Sequence, residues 1–155
     1  LDTQNDQMEK LGLVREDLLA VRAEAFRTLA MISSLDDASL KSLAQSRVAS
    51  VDAVGRRLEE VQKVLAEDEQ AVKLLADMHP LLKTYSKQVD KAIDLSGVDP
   101  NIGIGAMRAS EDTYKKLTGL MQQLAEQEAR RPCPDDEHLG AQCLHVSLHP
   151  SSGIG

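Results

Sequence analysis

The chain has 155 residues, 42% hydrophobic but only 2% aromatic, with no Trp and a single Phe, so its core must be built from Leu, Val, Ala, Ile and Met. That length makes one domain, and an aliphatic core of this kind favours helices. The formal charge is −7, and 18 Lys and Arg are interspersed with 25 Asp and Glu instead of forming a stripe, which leaves nucleic acid no electrostatic footprint.

No apolar run reaches the roughly 18 residues that a membrane span needs, and no signal-peptide pattern opens the chain. The sequence begins at Leu1 without a Met and enters helical periodicity almost at once, as the excised extramembrane domain of a membrane protein would.

From about Asp2 to Ser33, Leu11, Val14, Leu18, Val21, Ala25, Ile32 and Leu35 form one stripe at steps of three and four, broken only by Thr28. This predicts a long amphipathic helix. Ser33-Ser34-Leu35-Asp36-Asp37 then supplies N-caps and acidic residues for the next helix, hence a tight helical hairpin. The second run, about Asp37 to Ala66, keeps coiled-coil spacing through Leu40, Ala44, Arg47, Val51, Val54, Leu58, Val61 and Leu65, with Arg47 its one interruption. A weakly marked turn falls between Ala66 and Glu69.

The third run places Val72, Leu75, His79, Leu82, Ser86, Val89 and Ile93 on one stripe with Leu74, Met78, Leu81 and Tyr85 beside it, and Pro80 is expected to kink the helix without ending it. Ser96-Gly97-Val98-Asp99-Pro100-Asn101 reads as a loop, with Gly103 and Gly105 loosening the start of the next element. The fourth run, about Ile104 to Arg131, aligns Met107, Ser110, Tyr114, Leu117, Met121 and Leu124. From Pro132 onward periodicity is lost. Residues 132–155, with Cys133, Cys143 and several prolines, read as an irregular tail of non-native character, separate from a bundle domain over residues 1–131.

Helices of about 25 to 32 residues would be about 38 to 48 Å long, and short connections make neighbours antiparallel. The predicted fold is therefore all-α, an elongated up-down-up-down four-helix bundle.

Catalysis has no visible carrier, since there is no Gly-rich phosphate loop, no His-Glu-x-x-His, no Cys-x-x-Cys-His and no Glu-x-x-His pair. His79 is the only histidine before the tail, which excludes an all-histidine metal site in the bundle, and no cofactor is implied. The expectation is a protein that is not an enzyme.

What the sequence offers instead is a level. Counting about ten residues back from the first hairpin reaches Arg22, with Arg27 closer, and counting forward reaches Arg47; from the second distal turn the same count reaches Tyr85 and, forward, Thr113 and Tyr114. All sit about 15 Å below the distal end at 1.5 Å per residue. A guanidinium in an apolar seam needs a partner, so Arg47 either pairs with an acid on a neighbouring helix, snorkels outward, or holds a ligand. Arg22 and Arg27 flank the first stripe as solvated charges or, in a dimer packed through the first helix, face the other subunit. The planar guanidinium fork suits carboxylates.

Leu95-Ser96-Gly97-Val98-Asp99-Pro100-Asn101, followed by Ala106-Met107-Arg108-Ala109-Ser110 and Tyr114-Lys115-Lys116-Leu117, together with the length and register of the runs, resembles the four-helix-bundle ligand-binding domain of bacterial methyl-accepting chemotaxis receptors, over about Leu1 to Arg131. In an aspartate-binding member of that family, arginines on the first helix of both subunits grip the ligand carboxylates with help from groups near the start of the fourth helix. Arg22 and Arg27 are similar in spacing and position to two of those arginines, while Met31 stands where a third is expected, a departure from the amino-acid-binding pattern. The resemblance implies a periplasmic bundle between two transmembrane helices of an inner-membrane protein, homodimeric through its first helix.

The expectation is thus a chemoreceptor sensory domain that binds a small carboxylate, a di- or tricarboxylic acid, through Arg22, Arg27, Arg47, Tyr85, Thr113 and Tyr114, and signals by a shift of the fourth helix against the first. Its competitors are the sensor domain of a membrane histidine kinase and a structural helical interaction module. In the latter, Arg47 would have an intramolecular acidic partner.

Overall fold

A computed structural model describes residues 3–130, with side chains from Asn5 onward. Its elements are α1 (Thr3–Ala30), α2 (Asp37–Val64), α3 (Glu69–Val98) and α4 (Pro100–Ala129), with a single 3₁₀ turn at Ile32–Ser34 and no strand among the described residues. The helices are 28, 28, 30 and 30 residues long. The tail and Arg131 lie outside the described residues.

Each helix packs on its neighbours in sequence, α1 also packs on α4, and α1 meets α3 across the bundle, so the cross-section is a rhombus of antiparallel neighbours. The closest pair is α3 with α4. A Cβ on Gly103 would stand only 2.8 Å from Ser96 Cα, an approach that no side chain at 103 would permit.

One residue type starts three of the helices. The carboxylates of Asp36, Asp68 and Asp99 accept the backbone N–H groups of Ser39 (2.8 Å), Ala71 (3.1 Å) and Asn101 (2.9 Å), satisfying donors that have no partner inside the helix.

Three features differ from the sequence reading. The first helix ends at Ala30, not Ser33; Ile32 and Leu35 leave the helical stripe but stay half-buried beside the core. Thr28, the expected break in the stripe, is buried within it because its Oγ1 donates to the Glu24 carbonyl (2.9 Å), which removes the cost of a buried hydroxyl. The loop expected over Ser96 to Asn101 shrinks to Asp99 alone. Asp99 is extended (φ −150°, ψ 114°), its amide donates to Leu95 O (2.8 Å), and Pro100 occupies the first position of α4, where the missing N–H costs nothing. Gly103 and Gly105 accordingly lie inside α4.

α3 runs unbroken through Pro80. Pro80 and Ala76, whose carbonyl loses its usual partner, are both exposed, so water can replace the missing bond. The core contains Val14, Leu18, Val54, Leu58, Val61, Leu75, Met78, Leu117, Met121 and Leu124, each at most 1% exposed. Towards the distal end, marked by Met31 and Asp99, this aliphatic filling gives way to polar side chains.

Candidate polar layer of the distal bundle

Arg22 on α1 reaches Glu111 on α4. Its Nε donates to both carboxylate oxygens (2.8 and 3.1 Å) and its Nη2 donates to Oε1. The guanidinium carbon also lies 5.0 Å from the Phe26 ring centroid and 5.4 Å from that of Tyr114. The planar cation therefore meets two aromatic rings while a carboxylate accepts its N–H groups, an arrangement lysine could not reproduce. The hydrogen bonds that Arg22 donates to Glu111 raise its pKa against the opposing effect of partial burial.

Tyr114 packs on Tyr85 at 5.6 Å between ring centroids with the planes tilted by 50°. Tyr85 is fully buried and its Oη has no partner. Burial raises its hydroxyl pKa, with Glu111 and Tyr114 adding and Arg22 and Arg47 opposing. Tyr114 is likewise raised by burial, against the pull of Arg22 and Arg15. Both tyrosines stay neutral at physiological pH and offer O–H donors.

Arg47 on α2 is only 2% exposed, and its Nη1 donates to Asp90 Oδ1 on α3 (3.0 Å). Of the alternatives open in the sequence, the acid on a neighbouring helix is the one present. Asp90 sits at the rim, half-exposed, and Arg47 Nε is buried without a partner. Thr113 is buried and its Oγ1 donates to Gln88 Oε1 (2.6 Å) and lies 3.2 Å from the Ala109 carbonyl, so it stitches α4 to α3.

Three members of the predicted level are brought into contact: Arg22, Tyr85 and Tyr114 form one chain, while Arg47 is paired with Asp90. Thr113 is bound to Gln88 instead of facing them. Arg27 is exposed and joins none of these contacts. Residues five apart on a helix point about 140° apart, so one chain does not present Arg22 and Arg27 as a paired clamp.

Sequence reasoning missed Glu111, Asp90 and Gln88. The count of residues from the distal turns that located the arginines also reaches Asp90 and Glu111, so the signal was there: each inward cation requires an acid at its own height. Among the described residues no three His, Cys, Asp or Glu side chains are gathered as metal ligands.

The chain matches no protein-family model, and comparison with curated proteins and with solved structures finds no match.

Proposed function

We propose that this chain is the periplasmic sensory domain of a transmembrane bacterial chemoreceptor, binding a small organic carboxylate in the distal part of the bundle. The observation that carries the reading is the Arg22–Glu111 bridge. It is partly exposed, lies between Phe26 and Tyr114, and joins α1 to α4, the two helices whose relative shift would transmit a signal. A carboxylate competing with Glu111 for the Arg22 fork would change the contact between those helices, which gives the ligand different affinities for two packings.

A homodimer through α1 belongs to the same reading. Besides its buried stripe, α1 carries a second one in water, in which Leu19 (57% exposed) and Phe26 (38% exposed) alternate with exposed Ala23 and Ala30 at steps of four and three. Arg27 flanks that stripe. An exposed apolar heptad stripe on an otherwise acidic chain fits a partner helix. No described helix is long and apolar enough to cross a membrane, so the anchoring helices of this proposal flank the bundle. A membrane histidine kinase would use the same sensor with a different output.

A thermal-shift screen of organic acids against the 155-residue chain tests the reading. An acid at about 100 times its dissociation constant should add about 2.7 kcal/mol of stability, and a flat response to every acid would remove the sensor role.

One observation favours a second reading. Arg47 has its intramolecular acidic partner in Asp90, as a structural helical module without a small ligand would require. In that case no acid in the screen raises the melting temperature.

A further inference from the structure

Beside the Arg22–Glu111 bridge, α1 and α4 part to leave a groove of about 580 Å³, within the range of roughly 300 to 1,000 Å³ typical of small-ligand sites. Its wall is apolar, formed by Phe26 and Leu29 of α1 with Ile104 and Met107 of α4, and Arg108 and Lys115 stand on its rim. Phe26 and Ile104 are 38% and 56% exposed in the single chain, with Phe26 shared between the groove and the α1 stripe proposed for the dimer, so the groove opens at the edge of that interface.

Two features connect the groove to the polar layer. Phe26 lines the groove and also lies under the Arg22 guanidinium, and Glu111 both lines it and holds Arg22. Neither Arg108 nor Lys115 has an ion pair among the described residues, whereas Arg22 and Arg47 do. The groove's lining carries two cations, Arg108 and Lys115, and two acids, Glu111 and Asp112, in a chain whose formal charge is −7. Arg22, outside the lining, already holds Glu111, so the two unpaired cations face one acid without a cation partner.

From this juxtaposition we infer that the groove binds a monocarboxylic acid with an apolar body of about six carbons or more, the body against Phe26, Leu29, Ile104 and Met107 and the carboxylate at Arg108 and Lys115. The inference rests on the sensor reading, narrows its ligand class and moves the carboxylate from the Arg22 fork to the cations beside the bridge. A di- or tricarboxylate would set a second charge against the apolar wall, where an unpaired anion is strongly disfavoured. An apolar body fills the space between α1 and α4 beside the bridge that joins them, so occupancy acts directly on the helix pair proposed to move.

Isothermal titration of the full 155-residue chain with acetate, butyrate, hexanoate, benzoate, hexanamide, succinate and citrate tests it. Affinity should rise with chain length, by up to about fourfold for each fully buried methylene, so that hexanoate and benzoate bind at least tenfold more tightly than acetate. Ile104→Asp, at an exposed wall position that leaves the core intact, and Arg108→Ala should each weaken hexanoate at least tenfold while circular dichroism stays unchanged. Hexanamide should bind at least tenfold more weakly than hexanoate.

Affinity for succinate or citrate that exceeds hexanoate and is indifferent to Ile104→Asp would overturn the groove while leaving the sensor reading in place. Equal binding of hexanamide would overturn the role of Arg108 and Lys115. A dimer dissociated by Ile104→Asp, without hexanoate binding, would mean that a second copy covers the groove and would overturn the inference. Failure of every acid would overturn both readings together.

Discussion

The two ends of this bundle are held by different physics. In the proximal part, Leu58, Leu75, Leu117 and Leu124 are fully buried and fill the space between four helices with aliphatic surface, and polar side chains, Gln7 and Glu128, are buried only at its extreme end. In the distal part the same helices enclose Arg47, Tyr85, Ser110 and Thr113, all buried, with Arg22 and Glu111 at the edge. Apolar packing is non-directional and strong, and any loss of volume is felt; a polar layer gains little net energy, because each bond replaces one with water, but it fixes which groups face each other. The difference teaches where the molecule is rigid and where it has room for two arrangements.

The largest effect should come from the aliphatic end. Leu75→Ala should cost about 2 to 5 kcal/mol in denaturant unfolding, the range for a buried leucine whose cavity cannot fully collapse. If the loss is well below that, the proximal core is not the stabilising half and the comparison fails.

The second test lies at the distal α3–α4 turn. Gly103→Val puts a side chain into Ser96 and should cost about 1 to 3 kcal/mol. Gly105→Ala, where a Cβ meets nothing within 4 Å, should gain up to about 1 kcal/mol from helix propensity. Equal effects at the two positions would mean that the close approach of the helices has no energetic content.

Within the polar layer the two ends of one ion pair should respond unequally. Asp90→Ala leaves a buried guanidinium without its acceptor and should cost about 1 to 2 kcal/mol, reduced from the fully buried case because Asp90 is half-exposed. Arg47→Met fills similar space without a charge and should change stability by less than about 1 kcal/mol, in either direction. A large loss from Arg47→Met would make the arginine a stabilising member of the core and blur the contrast between the ends.

The smallest effect concerns pH. Tyr85 has its hydroxyl pKa raised by burial above the unfolded value of 10.0, so the unfolded chain releases this proton first. Its contribution is complete below about pH 10 and is lost as pH rises beyond it. Tyr85→Phe, which also removes an unpartnered buried hydroxyl, should flatten the fall in stability above pH 10 measured by denaturant midpoints. An unchanged alkaline slope would place that hydroxyl in water.

The four helices and the level of the arginines were legible because apolar spacing and residue counts from the turns translate directly into faces and heights. What was not legible involved groups that change meaning with their partner. Thr28 looked like a break until its hydroxyl was tied to Glu24, and Ser96 to Asn101 looked like a loop although Asp99 caps one helix as it ends another. Glu111 and Asp90 carry no mark of their own in the sequence, since most acids on helices lie at the surface, and only the requirement of Arg22 and Arg47 for partners distinguishes them. A clamp of Arg22 and Arg27 in one chain was excluded by helix geometry, and its realisation across a dimer depends on a second subunit.

The central claim is that Arg22, bridged to Glu111, is where an acid acts on the α1–α4 pair. Isothermal titration of wild type, Arg22→Ala and Arg27→Ala with the acid giving the largest thermal shift addresses it directly. The expected result is at least a tenfold loss of affinity for Arg22→Ala, about 1.4 kcal/mol or more, because the substitution removes a cation and leaves the Glu111 carboxylate uncompensated beside the bound acid. Unchanged affinity in both variants, with the acid still bound, would contradict it and place the site elsewhere in the bundle.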